Sequence, residues 1–377
     1  MLKVTKFGGS SMADAGQYRK VKDIVFADRQ RRVVVVSAAG KRFSGDHKLT
    51  DLLYLCHAHV QYGVACDPVF EMITSRYLEV RDELGLKMDL ESEFAQLKQR
   101  LDAKQISQDE LVSRGEYFSA KLMAAYLGFQ FVDSADWVKF QLDGTVDKQL
   151  SYTTLREKAD LAKGVVIPGF YGVMPNGNIK TFSRGGSDIT GALAAAALDA
   201  DVYENWTDVS GFMVADPRII DNPEVIETIT YRELRELAYM GATVLHEEAI
   251  FPVRQQGIPI NIRNTNAPED RGTWIVGSTC QKSKYIVTGI AGKKGFCSIN
   301  IEKDMMNSEI GFGRKVLQAF EDNGISFEHV PSGIDTMTVF VHQDEFMHKE
   351  QKVVAGLHRL ANPDYIDIES DLALIAV

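Results

Sequence analysis

Only four cysteines occur in 377 residues, Cys56, Cys66, Cys280 and Cys297, and none makes a Cys-x-x-Cys spacing. A chain this long builds a core without covalent staples, so reduced thiols are expected and a disulfide framework is excluded. Cys56-His57-Ala58-His59 has no second ligand cluster and carries the spacing of an amphipathic helix, so no metal site is assigned. No apolar run reaches the roughly 18 residues of a membrane span, and no membrane partner is expected. The N-terminus lacks a charged stretch leading into an apolar core and cleavage site, which makes the cytoplasm the expected compartment. Basic residues are in the minority, 42 against 52 acidic, for a net charge of −10. That balance excludes nucleic acid as a partner but leaves room for a local basic pocket that takes a nucleotide. Low-complexity tracts are absent, and disorder is not expected.

What is present is ordinary globular material, 45% hydrophobic and 25% charged, in a length that calls for two domains. Runs of β-branched residues predict strands at 2–6, 32–37, 165–168, 202–206 and 258–263. Continuous runs of this kind mark strands buried on both faces of a parallel sheet. Helical patterns lie between them, the alanine-rich 192–198 the plainest, and residues 49–127 read as a largely helical insertion beside the sheet. The expected fold is therefore α/β, a three-layer αβα architecture around a mostly parallel sheet over 1–277. From 284 the rhythm becomes strand 297–302, helix 313–323, strands 326–330 and 336–342, helix 348–360 and strand 365–369. That order, βαββαβ, is ferredoxin-like.

Four segments carry chemistry. Lys6-Phe7-Gly8-Gly9-Ser10-Ser11 follows a strand directly, so glycine N–H groups and a lysine meet at the carboxyl edge of a parallel sheet. Such a turn suits phosphate, and a tight strand–helix turn with a surface lysine is the plainer reading. Phe182-Ser183-Arg184-Gly185-Gly186-Ser187-Asp188 combines an arginine fork, an expected N-cap serine and a first-turn carboxylate. An ordinary helix start is its alternative. Trp206-Thr207-Asp208-Val209-Ser210-Gly211 fits either a nucleotide-binding edge or a simple strand exit. Ser113-Arg114-Gly115-Glu116 is expected just before an apolar helix, with Glu116 either a dipole-stabilising acid or a ligand.

Taken in order and spacing, these segments resemble the aspartate kinases of the amino acid kinase family, over nearly all of residues 1–275. The resemblance implies an ATP-dependent phosphotransferase that acts on the side-chain carboxylate of L-aspartate. It implies catalytic roles for Lys6, Arg184 and Asp188. Lys6 would neutralise charge on the transferring phosphoryl group, with Gly8 and Gly9 donating backbone N–H groups nearby and Ser10 also at the nucleotide. Ser37 and Thr50 would line the site, Glu116 and Asp188 would take the substrate ammonium, and Arg184 a carboxylate. Thr207, Asp208, Met213 and Arg218 would contact the nucleotide, and Mg²⁺ would arrive on its phosphates without a dedicated protein ligand. Three departures stand out: Met213 where many relatives have an aromatic, Thr243 where many have lysine, and Asn264-Thr265-Asn266-Ala267-Pro268 in place of a serine-rich stretch.

The tail resembles the ACT regulatory modules of the same enzymes. One module is expected to be complete, while a second has only 285–291 and the closing Ala373-Leu374-Ile375-Ala376-Val377. An end on an apolar strand is read as a cut within that module, or else as a short tail pairing with another chain. Asn307, Ser308, Ser326 and Glu328 are the candidate effector residues, with lysine favoured over threonine because Glu328 suits a side-chain ammonium; a solvated strand acid is the alternative. A homodimer is expected through this region. The competing readings are an amino acid kinase with another acceptor (glutamate, acetylglutamate, UMP or carbamate) and a catalytically silent amino-acid sensor.

Overall fold

Valine runs set the centre of the sheet. In the computed structural model, which describes residues 1–183, 185–240, 245, 247–278 and 286–377, Lys3–Phe7 (β1) and Arg31–Val36 (β2) pair in parallel. Val33 to Val36 are fully buried. Alternate residues of a strand face opposite ways, so a run apolar at every position needs a layer on each side.

The first chain unit takes in residues 1–238 and continues to Gly289. Its strands are β1, β2, Gln130–Phe131 (β3), Val165–Pro168 (β4), Tyr171–Val173 (β5), Ile179–Thr181 (β6), Val202–Thr207 (β7), Thr228–Thr230 (β8), Ile260–Asn264 (β9) and Thr273–Val276 (β10). Eight of them form one sheet in the order β3-β4-β2-β1-β7-β9-β10-β8, parallel throughout except for the β9–β10 pair. The helices are Ala15–Ala27 (α1), Leu49–Gln61 (α2), Asp67–Glu83 (α3), Leu90–Asp102 (α4), Gln108–Leu127 (α5), Ser134–Trp137 (α6), Lys148–Lys158 (α7), Gly186–Ala197 (α8), Tyr231–Tyr239 (α9) and Glu247–Gln255 (α10). Val34, Val36, Phe7 and Trp206 join the core made with α1 to α5, and α8, alanine-rich and almost wholly buried, lies against β1, β2 and β7. The three-layer αβα arrangement follows. Residues 49–127 are helical as expected, and α5 is itself a layer on β2, β3 and β4.

The second unit holds residues 239–240 and 290–377. Ala291–Glu302 (β11), Phe312–Glu321 (α11), Phe327–His329 (β12), Thr336–His342 (β13), Gln343–Met347 (α12), Glu350–Ala361 (α13) and Tyr365–Ala376 (β14) give an antiparallel sheet in the order β12-β13-β11-β14. That is the ferredoxin-like order. Residues 373–376 continue β14, and Ala376 pairs with Ala291 at the far end of β11. Tyr285 lies outside the described residues. Among the described residues no helix is long and apolar enough to cross a membrane.

Candidate active site

The register of β1 on β7 sets Lys6 opposite Asn205 at the carboxyl edge of the sheet. Lys6 Nζ lies 2.7 Å from Asp188 Oδ1, although 181 residues separate the two in sequence, because α8 lies along β1. Asn205 Nδ2 donates to the same oxygen at 2.8 Å, and the Tyr203 hydroxyl donates to the Asp188 carbonyl at 3.2 Å. Lys6 is buried and Asp188 half-buried, so neither charge is left to bulk water. Such a pair holds its geometry well, and removing one partner strands the other.

Asp188 occupies the first turn of α8, where the helix dipole favours a carboxylate. The cap is Gly185, whose φ of 57° is left-handed, and Ser187 lies within the helix; the expected serine cap is therefore corrected. Arg184 lies outside the described residues.

The glycine turn is held from three sides. Gly8 N–H donates to the Trp206 carbonyl at 2.9 Å, so the expectation that it serves a phosphate is corrected, and Ser37 N–H donates to the Phe7 carbonyl at 3.1 Å. Gly40 N–H donates to the Gly9 carbonyl at 2.8 Å, and a Cβ on Gly40 would stand 2.7 Å from the Gly9 carbonyl carbon. Only glycine permits that approach. Ser10 lies in the short 3₁₀ turn Gly9–Met12, and Ser11 Oγ meets Thr265 Oγ1 at 2.8 Å.

Beneath the turn, Glu204 of β7 is a buried carboxylate that accepts from Arg31 Nε at 2.8 Å and Trp206 Nε1 at 2.9 Å, with Lys3 Nζ 3.2 Å away. The Arg31 and Arg263 guanidiniums both stack on the Trp206 ring. These contacts fix the strand whose Trp206 carbonyl anchors Gly8.

Ser37 leaves β2, and Thr50 sits in the first turn of α2, which starts where Leu49 N–H donates to the Ala39 carbonyl at 3.2 Å. Glu116 is 5% exposed, and its Oε2 has no hydrogen-bond partner among the described residues. Burial pushes its carboxyl up to about 8, against the lowering effect of backbone N–H groups of Ala38 and of Glu116 itself. The segment 113–116 lies inside α5, which begins at Gln108 with Ser107 as its cap, so the expectation that it precedes the helix is corrected. Gly115 is there because a Cβ would come within 2.8 Å of Ala38 Cβ, and its absence seats α5 on the exit of β2.

The residues that the resemblance assigns to the nucleotide are less gathered. Thr207 ends β7, and its hydroxyl donates to Asp208 Oδ1 at 3.1 Å. Met213 bridges to Val225. Arg218 is exposed, and its guanidinium forks onto the two oxygens of Asp216 at 2.6 to 3.1 Å. Thr243 lies outside the described residues, as does Cys280. Sequence reasoning missed Asn205 and Gly40 and named Thr265 only within a departing stretch; all three make contacts between distant segments, and an asparagine on a buried strand was a readable signal. Among the described residues no group of three or more His, Cys, Asp or Glu is arranged to hold a metal.

In the second unit, Asn307 and Ser308 lie exposed in the 3₁₀ turn Met306–Ser308, with Asn307 N–H donating to the Ile334 carbonyl at 3.2 Å. Ser326 is exposed just before β12, and Glu328 Oε1 lies 3.1 Å from His342 Nε2.

A parallel sheet with a lysine and a glycine turn at its carboxyl edge, facing the first turn of a helix, defines an α/β framework suited to phosphates. The profile of the amino acid kinase family matches residues 1–264. Aspartokinase 3 of Bacillus subtilis (strain 168) is 39% identical over 397 residues, covering 100% of this chain and 86% of the relative. The crystal structure of Clostridium acetobutylicum aspartate kinase superposes with a TM-score of 0.89 at 48% identity, covering 99% of this chain and 86% of that one. E. coli aspartokinase III in complex with aspartate and ADP follows at 0.73 and 25% identity, covering 100% and 87%. The chain belongs to the amino acid kinase family and, within it, to the aspartokinases; it is a kinase.

Proposed function

We propose that this chain transfers the γ-phosphoryl group of ATP to the β-carboxylate of L-aspartate, giving ADP and 4-phospho-L-aspartate. The single observation that carries the reading is the Lys6–Asp188 pair, 2.7 Å apart beside a backbone turn locked by Gly8, Gly9 and Gly40. A substrate carboxylate oxygen attacks the γ-phosphorus while the bond to the β,γ-bridging oxygen breaks, and the electron pair leaves with ADP. No protein nucleophile is needed, so the chain's work is alignment and charge stabilisation. Lys6, released from Asp188 as substrates enter, meets the developing charge on the transferring group. Backbone N–H groups of Gly9 and Ser10 face the phosphates. Asp188 and Glu116 take the α-ammonium, Arg184 takes a carboxylate, and Ser37 and Thr50 line the space between. Thr207, Asp208, Met213 and Arg218 hold the nucleotide, with Arg218 leaving Asp216 to do so. Mg²⁺ accompanies the ATP phosphates and offsets their charge.

Residues 1–277 form the catalytic domain in this reading, and residues 284–377 form a regulatory ACT region that pairs two copies of the chain in the cytoplasm. Lysine is the proposed effector, its ammonium taking the place of His342 beside Glu328, whose other oxygen accepts from the Tyr239 hydroxyl. The test supplies Mg-ATP with aspartate, glutamate, acetylglutamate or UMP, and traps acyl phosphate with hydroxylamine. Hydroxamate formed with aspartate alone supports the reading. Turnover with another acceptor, or none in folded protein that binds ATP, overturns it.

A further inference from the structure

Arg76 and Asp46 lie outside the set of residues assigned above, yet they contact the loop that runs between two of its members. Arg76, on α3, is 5% exposed. Its Nη1 donates to the His47 carbonyl at 2.8 Å, and its Nη2 donates to the Gly40 carbonyl at 3.1 Å and pairs with Asp46 Oδ2. The same Asp46 oxygen accepts from Arg42 twice, backbone N–H and Nε, each at 3.0 Å. The loop 41–45 is exposed, so nothing apolar holds it down. One guanidinium therefore ties both ends of the loop to α3, and one carboxylate closes the loop on itself.

The chain of contacts continues into the site. Gly40, whose carbonyl accepts from Arg76, also carries the N–H that donates to the Gly9 carbonyl. Past the other end, Leu49 N–H donates to the Ala39 carbonyl, and Thr50 follows. We propose that Arg76 and Asp46 are positioning residues for phosphoryl transfer, clamping the 40–48 loop so that the Gly9 turn and Thr50 keep their places. The role rests on the phosphotransferase reading above. A planar fork can serve two carbonyls and a carboxylate at once, and a lysine ammonium on its single stem cannot reach all three in that geometry.

The test uses Arg76→Lys and Asp46→Asn in the full chain. Three readouts are taken: kcat at saturating ATP and aspartate, the thermal midpoint, and hydrogen exchange of the peptide spanning residues 37–48. Misalignment of a phosphate-binding turn costs roughly ten- to a hundredfold in rate, so kcat is expected to fall by at least about tenfold. Faster exchange in 37–48 accompanies it, while the protein stays folded at the assay temperature. Asp46→Asn leaves both carbonyl contacts of Arg76 in place and decides the matter if Arg76→Lys does not fold. A lowered thermal midpoint with unchanged kcat would overturn the proposal by making the clamp purely structural, and unchanged exchange would overturn it independently of the acceptor. Wild-type turnover with aspartate, measured alongside, fails only if the reading of the function fails.

Discussion

Replacing Glu116 by glutamine sets stability against substrate binding. The wild-type carboxyl, ordinarily near 4.5, is pushed up to about 8 by burial. Between those values the folded protein holds a proton that the unfolded chain has released, so folding stability falls as pH rises through the window. The stability in question is fully present below about 4.5 and fully lost above about 8. At about 1.4 kcal/mol per pH unit, the whole penalty on the charged form is on the order of 5 kcal/mol. Glutamine has the same shape and no charge to bury, so the variant escapes the penalty. Urea unfolding of both proteins at about pH 5 and about pH 9 reads the effect as a change in their stability gap, expected to grow by a few kcal/mol in favour of Glu116→Gln. Above about pH 8, where the wild-type carboxyl is charged, the same variant would lose the charged partner proposed for the substrate ammonium, worth roughly 1.5–3 kcal/mol, so KM for aspartate should rise about ten- to a hundredfold there. A stability gap that stays constant across the range would refute the account of Glu116.

Three further outcomes follow from the same contacts. Gly40→Ala forces a Cβ to within 2.7 Å of the Gly9 backbone and should cost about 1–3 kcal/mol by thermal unfolding, with loss of turnover. Glu204→Gln strands the buried Arg31 and should lower stability by about 3–5 kcal/mol, read from the urea midpoint. Asn205→Ala removes the donor that orients Asp188 and should lower kcat/KM by roughly tenfold at unchanged fold, measured by steady-state kinetics and circular dichroism.

Much of the sheet was legible because its signal is local. The four valines of β2 and the apolar run of β4 identify themselves as strands buried on both faces, within a residue or two of the observed ends. Helix starts were less readable. Gly115 looks like a break ahead of a helix, but it sits inside α5, tolerated because it lets the helix close on Ala38. Ser187 looks like a cap and is not one, since Gly185 takes the left-handed position. The site divides the same way. Lys6 and Asp188 could be named from their motifs, but their direct pairing depends on β1 standing beside β7 with α8 across it. Asn205, Gly40 and Arg76 carry no motif, and only the packing of distant segments gives them work.

The central claim is that Lys6, held by Asp188 beside the glycine turn, stabilises the charge of phosphoryl transfer. It is tested most directly by Lys6→Met, which keeps much of the length and removes the charge, assayed as aspartate-dependent ADP release from Mg-ATP. The account predicts a fall in kcat of roughly 100- to 1000-fold in protein that remains folded. A variant that turns over within about threefold of wild type would contradict it, because a loss that small leaves no substantial charge stabilisation for Lys6 to supply.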